Sequence, residues 1–571
     1  YSTNVSVVSS PPHNADLMNS REKLAWEQEL WDEFSEPYFK AKKRYPVIGI
    51  VGMIRSGYGK YKGMTKEQQD AEIERLGSHT TDWFQELFRN SVSHSHNLSL
   101  SGGSDKSTYY VSLGYSNNVG LVKKTDYSRY NLSSKLDIKA NKRVKLGLSM
   151  DMAWQESNGP SLSVDPFKYA YFANPYERLY DDNGNYVADQ TYHMIRKAHG
   201  YKTEAPVPDN GFNLMYEIDN TSNKAQNYSA GITGTISVKL LENLNFEGLA
   251  SYNYTTDNSD NINGKNTYAA WNDRPFEEAA FLSKRVYGSI MQTVSSNNNY
   301  NLRGQFHYFN TFKKDHYVSA LVGSEIRGAH SKSIFTKRYG YDPISGNSSM
   351  PAFTDKKKFT QAGLENYAAL MDLLSGQGIN DNRFASFYFS VDYVYKNRYV
   401  FSATGRTDGS NNFGHSRQFN PTGSVGLSWN VDQEKFMEKL KPIISSLSVR
   451  TAFGYTGNIN KSVYPQLVMD YSTTFRKTIN DNFRMGFLRN APNAELRWEK
   501  TRDMKLSVDV GFLKDRLRLM GEVYMRRTSD AVSDVRVPYT TGFSSQVYNT
   551  SVLSNNGAEL TVSGAILRGK N

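Results

Sequence analysis

Two histidines, His94 and His96, stand two residues apart, a spacing that puts both imidazoles on one face of an extended strand. Such a pair can hold a metal ion, but a stable site needs a third and a fourth ligand. The chain has no cysteine, and no neighbouring histidine supplies the missing ligands. No metal site is expected, and the pair reads as part of a polar lumen face. The run Asp181-Asp182-Asn183-Gly184-Asn185 resembles a calcium loop at a glance. Its glycine comes two places too early for an EF-hand and the closing glutamate is missing, so a polar turn between Tyr180 and Tyr186 is expected. The GxSxG, HExxH and GxxxxGK[ST] signatures of hydrolases, zinc proteases and nucleotide sites are absent. Carboxylates are plentiful, but their spacing singles out no pair for glycosidic chemistry. No catalytic residue is assigned, no cofactor is expected, and the chain does not read as an enzyme. What remains is recognition. Tyr169, Tyr171, Phe172, Tyr176, Trp271 and Tyr341 lie in stretches rich in Asn, Asp and Ser. Aromatic faces beside amides and carboxylates suit polar ligands, which makes these six the candidate ligand contacts. For any single one of them, packing the loops together is the commoner role.

The elements that must carry these residues alternate with period two. Val144, Leu146, Leu148, Met150, Met152 and Trp154 share one face, and Lys145, Gly147, Ser149, Asp151 and Gln155 the other. A helix cannot produce such a run. The pattern predicts sixteen strands, over 1–9, 94–103, 107–118, 127–139, 143–155, 226–240, 244–255, 298–311, 316–328, 384–395, 398–408, 420–431, 446–457, 503–513, 516–527 and 556–567. The links between them alternate in character. Ser104-Asp105-Lys106, Ala140-Asn141-Lys142, Leu241-Glu242-Asn243, Lys313-Lys314-Asp315, Lys396-Asn397 and Lys514-Asp515 are tight polar turns. Between them run long loops, 10–93, 156–225, 256–297, 329–383 and 458–502. A sheet trimmed at one end and elaborated at the other is the asymmetry of an outer-membrane barrel, with short periplasmic turns and long extracellular loops. The fold class is therefore an all-β, transmembrane, antiparallel β-barrel spanning 1–571.

Two segments depart from strand. Asn19-Ser20-Arg21-Glu22 predicts a capped helix in the first long loop, continued by Leu24, Leu30, Trp31 and Phe34. Gln433–Leu440 predicts a short helix or turn on the tight-turn side. Aromatic residues gather near strand ends (Tyr109, Tyr110, Tyr115, Phe387, Tyr388, Phe389, Tyr393, Tyr395), as an interfacial girdle would require.

Composition agrees. The 571 residues hold 39 Tyr, 29 Phe and 7 Trp, yet the mean hydropathy is −0.63. Alternation of lipid-facing and lumen-facing residues gives that average. No apolar run is long enough for a membrane-spanning helix. The net charge of +11 is spread along polar faces and loops rather than gathered with aromatics, so no nucleic-acid partner is expected. The absence of cysteine is mild support for export. The chain opens on Tyr1 with no signal peptide before it and stops at Gly569-Lys570-Asn571, just after a strand. Both ends of the full protein are expected to lie outside it.

Several stretches, in order, resemble the SusC/RagA family of TonB-dependent transporters of Bacteroidetes. They are Thr81-Asp82-Trp83-Phe84-Gln85 with Phe88-Arg89; His96-Asn97-Leu98-Ser99-Leu100-Ser101-Gly102-Gly103; Gly405-Arg406-Thr407-Asp408-Gly409-Ser410; Gly454-Tyr455-Thr456-Gly457-Asn458; Leu496-Arg497-Trp498-Glu499-Lys500-Thr501; and Asn555-Asn556-Gly557-Ala558-Glu559-Leu560. The Asp408-Gly409-Ser410 and Thr456-Gly457-Asn458 signatures read as structural turns at strand ends. The resemblance implies a barrel of 22 strands, of which about 16 are present, with an N-terminal plug in its lumen. It implies a SusD-like surface lipoprotein as lid, energy from the TonB–ExbB–ExbD complex through a TonB box, and an assembly into dimers of transporter–lipoprotein pairs. The function so implied is active import of an oligosaccharide or peptide across the outer membrane, with the barrel bathed in outer-membrane lipid. A siderophore or cobalamin receptor without a lid is the alternative within transport. A secreted carbohydrate-binding or adhesin β-protein is the alternative from another class.

Overall fold

A computed structural model describes residues 1–11, 16–34, 49–192, 211–273, 288–348, 374–411, 418–458, 467–472, 485–493 and 495–565. All sixteen expected strands are present. They are β1 (Ser2–Val8), β2 (Ser91–Gly103), β3 (Ser107–Val119), β4 (Asp126–Lys139), β5 (Val144–Gly159), β6 (Thr221–Leu241), β7 (Leu244–Asn263), β8 (Ser289–Phe312), β9 (His316–Tyr339), β10 (Ser375–Tyr395), β11 (Tyr399–Ser410), β12 (Phe419–Asn430), β13 (Ile444–Asn458), β16 (Glu499–Phe512), β17 (Leu517–Arg536) and β18 (Ser545–Gly564). They form one antiparallel sheet in chain order, each strand hydrogen-bonded to its sequence neighbours, with β1 and β18 at its edges. A separate hairpin, β14 (Val468–Ser472) with β15 (Met485–Asn490), lies inside the 458–502 loop.

The register gives each face of this sheet one chemistry. Leu132 pairs with Met152, Met152 with Ala230 and Tyr130 with Trp154, so the apolar sets of neighbouring strands fall side by side. Leu98, Leu100, Leu113, Leu148, Met152, Ile232, Leu302, Val322, Leu427, Leu506 and Val523 are all solvent-exposed on that face. A soluble protein would bury such a surface, whereas a bilayer accommodates it. The opposite face carries Ser112, Ser133, Asp151, Asn253 and Asn299, the polar residues of a lumen.

Depth follows from counting along the strands. On β5 the apolar face runs from Val144 at the tight turn to Trp154, ten residues on and roughly 25 Å higher for a tilted strand. At that height the rings stack across strands: His96 on Tyr115 (6.4 Å), Tyr115 against Tyr130 (4.8 Å), Tyr130 on Trp154 (5.3 Å) and Trp154 on Tyr228 (6.0 Å). Beyond it the same face turns polar, with Glu156 bound to Lys224 at 2.7 Å. His316, Tyr393, Tyr395, Tyr399 and Trp429 form a second belt beside the tight turns. The girdle is therefore real, though not for every aromatic expected in it: Phe389 and Phe387 lie six and eight residues above Tyr395 on the outer face, between the two belts. Tyr110 and Tyr388 alternate onto the lumen face with Ser112 and Ser386. The histidine pair is corrected in the other direction. His94 and His96 share the outer face with Leu98 and Leu100 and join the aromatic belt, because the register sets His96 opposite Tyr115.

Three of the tight turns use left-handed backbone, at Lys313 and Lys314, at Lys396 and Asn397, and at Leu513, Lys514 and Asp515. Lys396 and Asn397 have φ of 51° and 55°, the pattern of a type I′ hairpin, which matches the twist of the strands it joins. The stretch after β12 is two short 3-10 turns, Val431–Gln433 and Lys435–Met437. The long loops are narrower than the 156–225, 256–297 and 329–383 limits expected from hydropathy. β5 runs to Gly159, β6 begins at Thr221, β7 reaches Asn263, β8 begins at Ser289, and β9 and β10 extend to Tyr339 and from Ser375. Past the aromatic belt both faces meet water, so alternation disappears from the sequence while the hydrogen-bond ladder continues. Asp408-Gly409-Ser410 and Thr456-Gly457-Asn458 are corrected for the same reason: they are the upper ends of β11 and β13, not turns. The first long loop, 10–93, gives way to β2 at Ser91.

Candidate functional site

The buried apolar residues of this chain lie mostly in the loops above the sheet, in two clusters. The first joins helix α1 (Ser20–Phe34) and α2 (Gly49–Arg55) through Leu24, Ile50, Val51, Met53 and Ile54, with Tyr61 and Tyr176. α1 starts as its sequence requires: Glu22 N–H donates to Asn19 Oδ1 at 3.0 Å and Asn19 N–H to Glu22 Oε2 at 2.9 Å. The second gathers Trp83, Phe84, Leu87 and Phe88 of the α4 region (Trp83–Leu87), Tyr169 and Ala170 of α5 (Pro166–Phe172), and Leu214, Met215 and Ile218 of α6 (Leu214–Asn220), with Phe212 and Tyr268. A further helix, α3, spans Lys66–Gly77, and α7 spans Tyr268–Asn272.

Buried carboxylates brace these clusters. Glu27 on α1 accepts from the Tyr176 hydroxyl at 2.7 Å and from Val51 N–H of α2 at 3.1 Å. Burial pushes its carboxyl up to about 7, against the pull of those hydrogen bonds. Glu217 on α6 accepts from Tyr268 N–H at 2.6 Å and Ala269 N–H at 3.0 Å, capping α7, and burial raises it to about 7 as well. Asp189 takes the Tyr169 hydroxyl at 2.6 Å and the Thr191 hydroxyl at 2.8 Å, and that same Thr191 hydroxyl lies 3.4 Å from Glu177. Burial and then the neighbouring Asp189 charge hold Glu177 well above the carboxylate range. Glu27 and Glu217 each tie one loop to another, and Asp189 and Glu177 brace the 156–225 loop on itself. The sequence hid them because carboxylates are common in loops, and only their burial marks them.

The five aromatic candidates whose side chains are described do not converge. Tyr169 is buried edge-on to Trp83 with ring centres 5.1 Å apart, and Tyr171 is half-buried against Phe84 at 5.0 Å. Tyr176 is buried in the other cluster. Phe172, at the end of α5, is 84% exposed. Tyr341 is half-buried beneath the Arg338 guanidinium, 5.6 Å from the ring centre. Trp271 belongs to α7, and its side chain lies outside the described residues. Asp181 accepts from Asn183 and Asn185 N–H at 2.9 and 2.8 Å, the polar turn expected between Tyr180 and Tyr186.

The lumen face carries a network the sequence reading passed over. Arg406 donates to Glu325 at 3.1 Å, Asp408 at 2.7 Å and Ser386 at 2.8 Å, and its guanidinium lies 5.4 Å from the Tyr388 ring centre. Tyr388 donates to Gln305 at 2.9 Å, and Gln305 to Glu247 at 2.8 Å. The chain of bonds crosses from β11 to β7. On β16 and β17, Lys505 pairs with Glu522 at 2.6 Å and Arg526 with Asp503 at 2.7 Å. The two-residue spacing of Arg406 and Asp408 was the available signal. Paired charges and amides on a water-facing wall can hydrogen-bond a polar ligand or a polypeptide packed against them.

Comparison with known proteins converges on the same architecture. The family described as TonB dependent receptor-like, beta-barrel matches residues 153–569. The TonB-dependent receptor P39 of Formosa agariphila is 25% identical over 523 residues, covering 90% of this chain and 43% of that protein. The TonB-dependent receptor SusC of Bacteroides thetaiotaomicron is 24% identical over 547 residues, covering 92% of this chain and 50% of that protein. The chain thus spans about half the length of these relatives. Among solved structures, the RagAB peptide importer in its closed-closed state superposes with a TM-score of 0.73 at 19% identity, over 100% of this chain and 59% of that one. Sheet, register, apolar outer face and family match together place this chain in the TonB-dependent receptor-like β-barrel family, as a SusC/RagA-like barrel of the outer membrane.

Proposed function

We propose that this barrel belongs to an active importer that draws an oligosaccharide or a peptide across the outer membrane, powered through TonB–ExbB–ExbD and closed by a SusD-like surface lipoprotein. One observation carries the reading. A polar, ion-paired inner wall is crowned at one end alone by a folded loop lobe braced with buried carboxylates, while the other end is trimmed to tight turns. A lobe of that kind suits ligand capture at the outer surface, and the wall suits passage of a polar cargo. The peptide importer RagAB and the receptor SusC are the named relatives that motivate the two cargo classes. Phe172, exposed at the end of α5, is the aromatic candidate best placed for ligand. Tyr169, Tyr171 and Tyr176 are the scaffold that presents it.

The test uses the complete transporter extracted from its own outer membrane in mild detergent. A surface lipoprotein should co-purify in near-equal amount, and the complex should bind either an oligosaccharide or a peptide pool in calorimetry. Phe172→Ala should weaken that binding about 10-fold, the scale of one aromatic contact. Recovery of the barrel without any lipoprotein, or equal binding by the variant, would overturn the partner and the residue assignment respectively.

A further inference from the structure

Arg502 and Arg527 are directly opposed across the β16–β17 pair, both on the outer face. Like charges facing each other across two strands destabilise the pair unless an anion lies between them. Among the described residues neither guanidinium has a hydrogen-bonded or ion-paired acceptor, and both are exposed. Lys500, two residues above Arg502 on the same face, is also exposed and unpaired among those residues. The contrast with the lumen side is sharp: Arg526, one position from Arg527, and Lys505, three positions from Arg502, are each held by a carboxylate.

Depth says what fills the gap. From Phe512 at the tight turn to Arg502 is ten residues along the outer face, and from Leu517 to Arg527 is ten more on the partner strand. That is the count from Val144 to Trp154, so the arginines stand roughly 25 Å up, level with the aromatic belt. Directly beneath them Met504 pairs with Met525 and Leu506 with Val523, all exposed and apolar. An anion at this spot has an apolar column under it and water above it.

We propose that Arg502, Arg527 and Lys500 form a binding site for the phosphate of an outer-leaflet lipid, whose acyl chains lie along Met504 and Met525. Two guanidiniums supply planar, paired donors to phosphate oxygens, and Lys500 adds a point charge from above. The site is independent of the imported cargo and rests on the barrel's orientation alone.

The experiment takes the complete transporter, delipidated in detergent, and titrates it by native mass spectrometry. The probes are bisphosphorylated lipid A, its dephosphorylated counterpart and inorganic phosphate. Each basic group near an anionic lipid surface contributes about fivefold, so R502Q/R527Q should bind bisphosphorylated lipid A roughly 30-fold more weakly. Wild type should bind dephosphorylated lipid A no better than the variant binds the phosphorylated form. R526Q, on the lumen face, should leave lipid binding unchanged. In lipid-free detergent R502Q/R527Q should melt no lower than wild type, because it removes a repulsion; a merely misfolded variant would melt lower. Equal lipid A binding by wild type and the correctly folded variant, or equal binding of the phosphate-free lipid, would overturn the proposal. Full displacement of lipid A by millimolar inorganic phosphate would show a free-anion site and overturn the lipid assignment.

Discussion

Raising the pH from about 5 to about 8 should loosen the contact between α1 and α2, through one group. Glu27 is held at about 7 in the folded lobe, against an ordinary 4.5, because burial disfavours its charged form. Its folded value is the higher one. The contribution to stability is therefore complete below pH 4.5 and is lost as the pH rises through 7. A difference of that size corresponds to about 3 kcal/mol at 1.36 kcal/mol per pH unit. Lys23 and the Tyr176 hydroxyl face the carboxylate and already oppose the shift, so they are included in it. Native-state hydrogen exchange of the α2 amides, corrected for intrinsic base catalysis, reads the local opening free energy directly. It should fall by up to about 3 kcal/mol across that range, with most of the change between pH 5 and pH 7 and little beyond. Glu27→Gln keeps an oxygen for Val51 N–H and carries no titrating charge, so its profile should be flat. An equal fall in the Gln variant would refute the assignment, as would a wild-type profile with no slope between pH 5 and 8.

Gly49 begins α2 with φ at +74°, and a Cβ there would run into the Glu27 carboxylate. Gly49→Ala should destabilise the same α1–α2 contact by about 2–4 kcal/mol, from left-handed strain plus overpacking, read by the same exchange measurement. The two faces of β5 give the complementary test of the membrane reading. Leu148→Arg, midway up the apolar face, should cost about 2–4 kcal/mol in refolding into lipid vesicles, while Ser149→Arg on the lumen face should cost less than about 1.

Much of the fold was legible from local pattern. Strand number, strand order and the two faces follow from period-two alternation and turn chemistry, since a lipid-facing position and a water-facing position impose opposite demands on successive residues. Met152 and Trp154 against Asp151 and Gln155 carry that information within five residues. Legibility ended at the aromatic belt. Above it water bathes both faces, so the extra turns of strand in β5 to β10 and at the ends of β11 and β13 leave no alternation to read.

The residues that brace the lobe and line the lumen were settled elsewhere. Glu27 and Tyr176 are 149 positions apart, and Arg406 and Glu325 are 81 apart. No local period connects such pairs. Whether a loop tyrosine meets ligand or a buried carboxylate depends on which loop folds against it. Tyr176 and Phe172 are four residues apart with similar rings, yet one is buried and the other open to solvent. The sequence by itself determined that this chain is a membrane-spanning wall with a decorated end, because each strand meets lipid and water on its own. Only the tertiary structure decided which decorations are scaffold and which are surface, because that depends on contacts between loops that distant strands hold side by side.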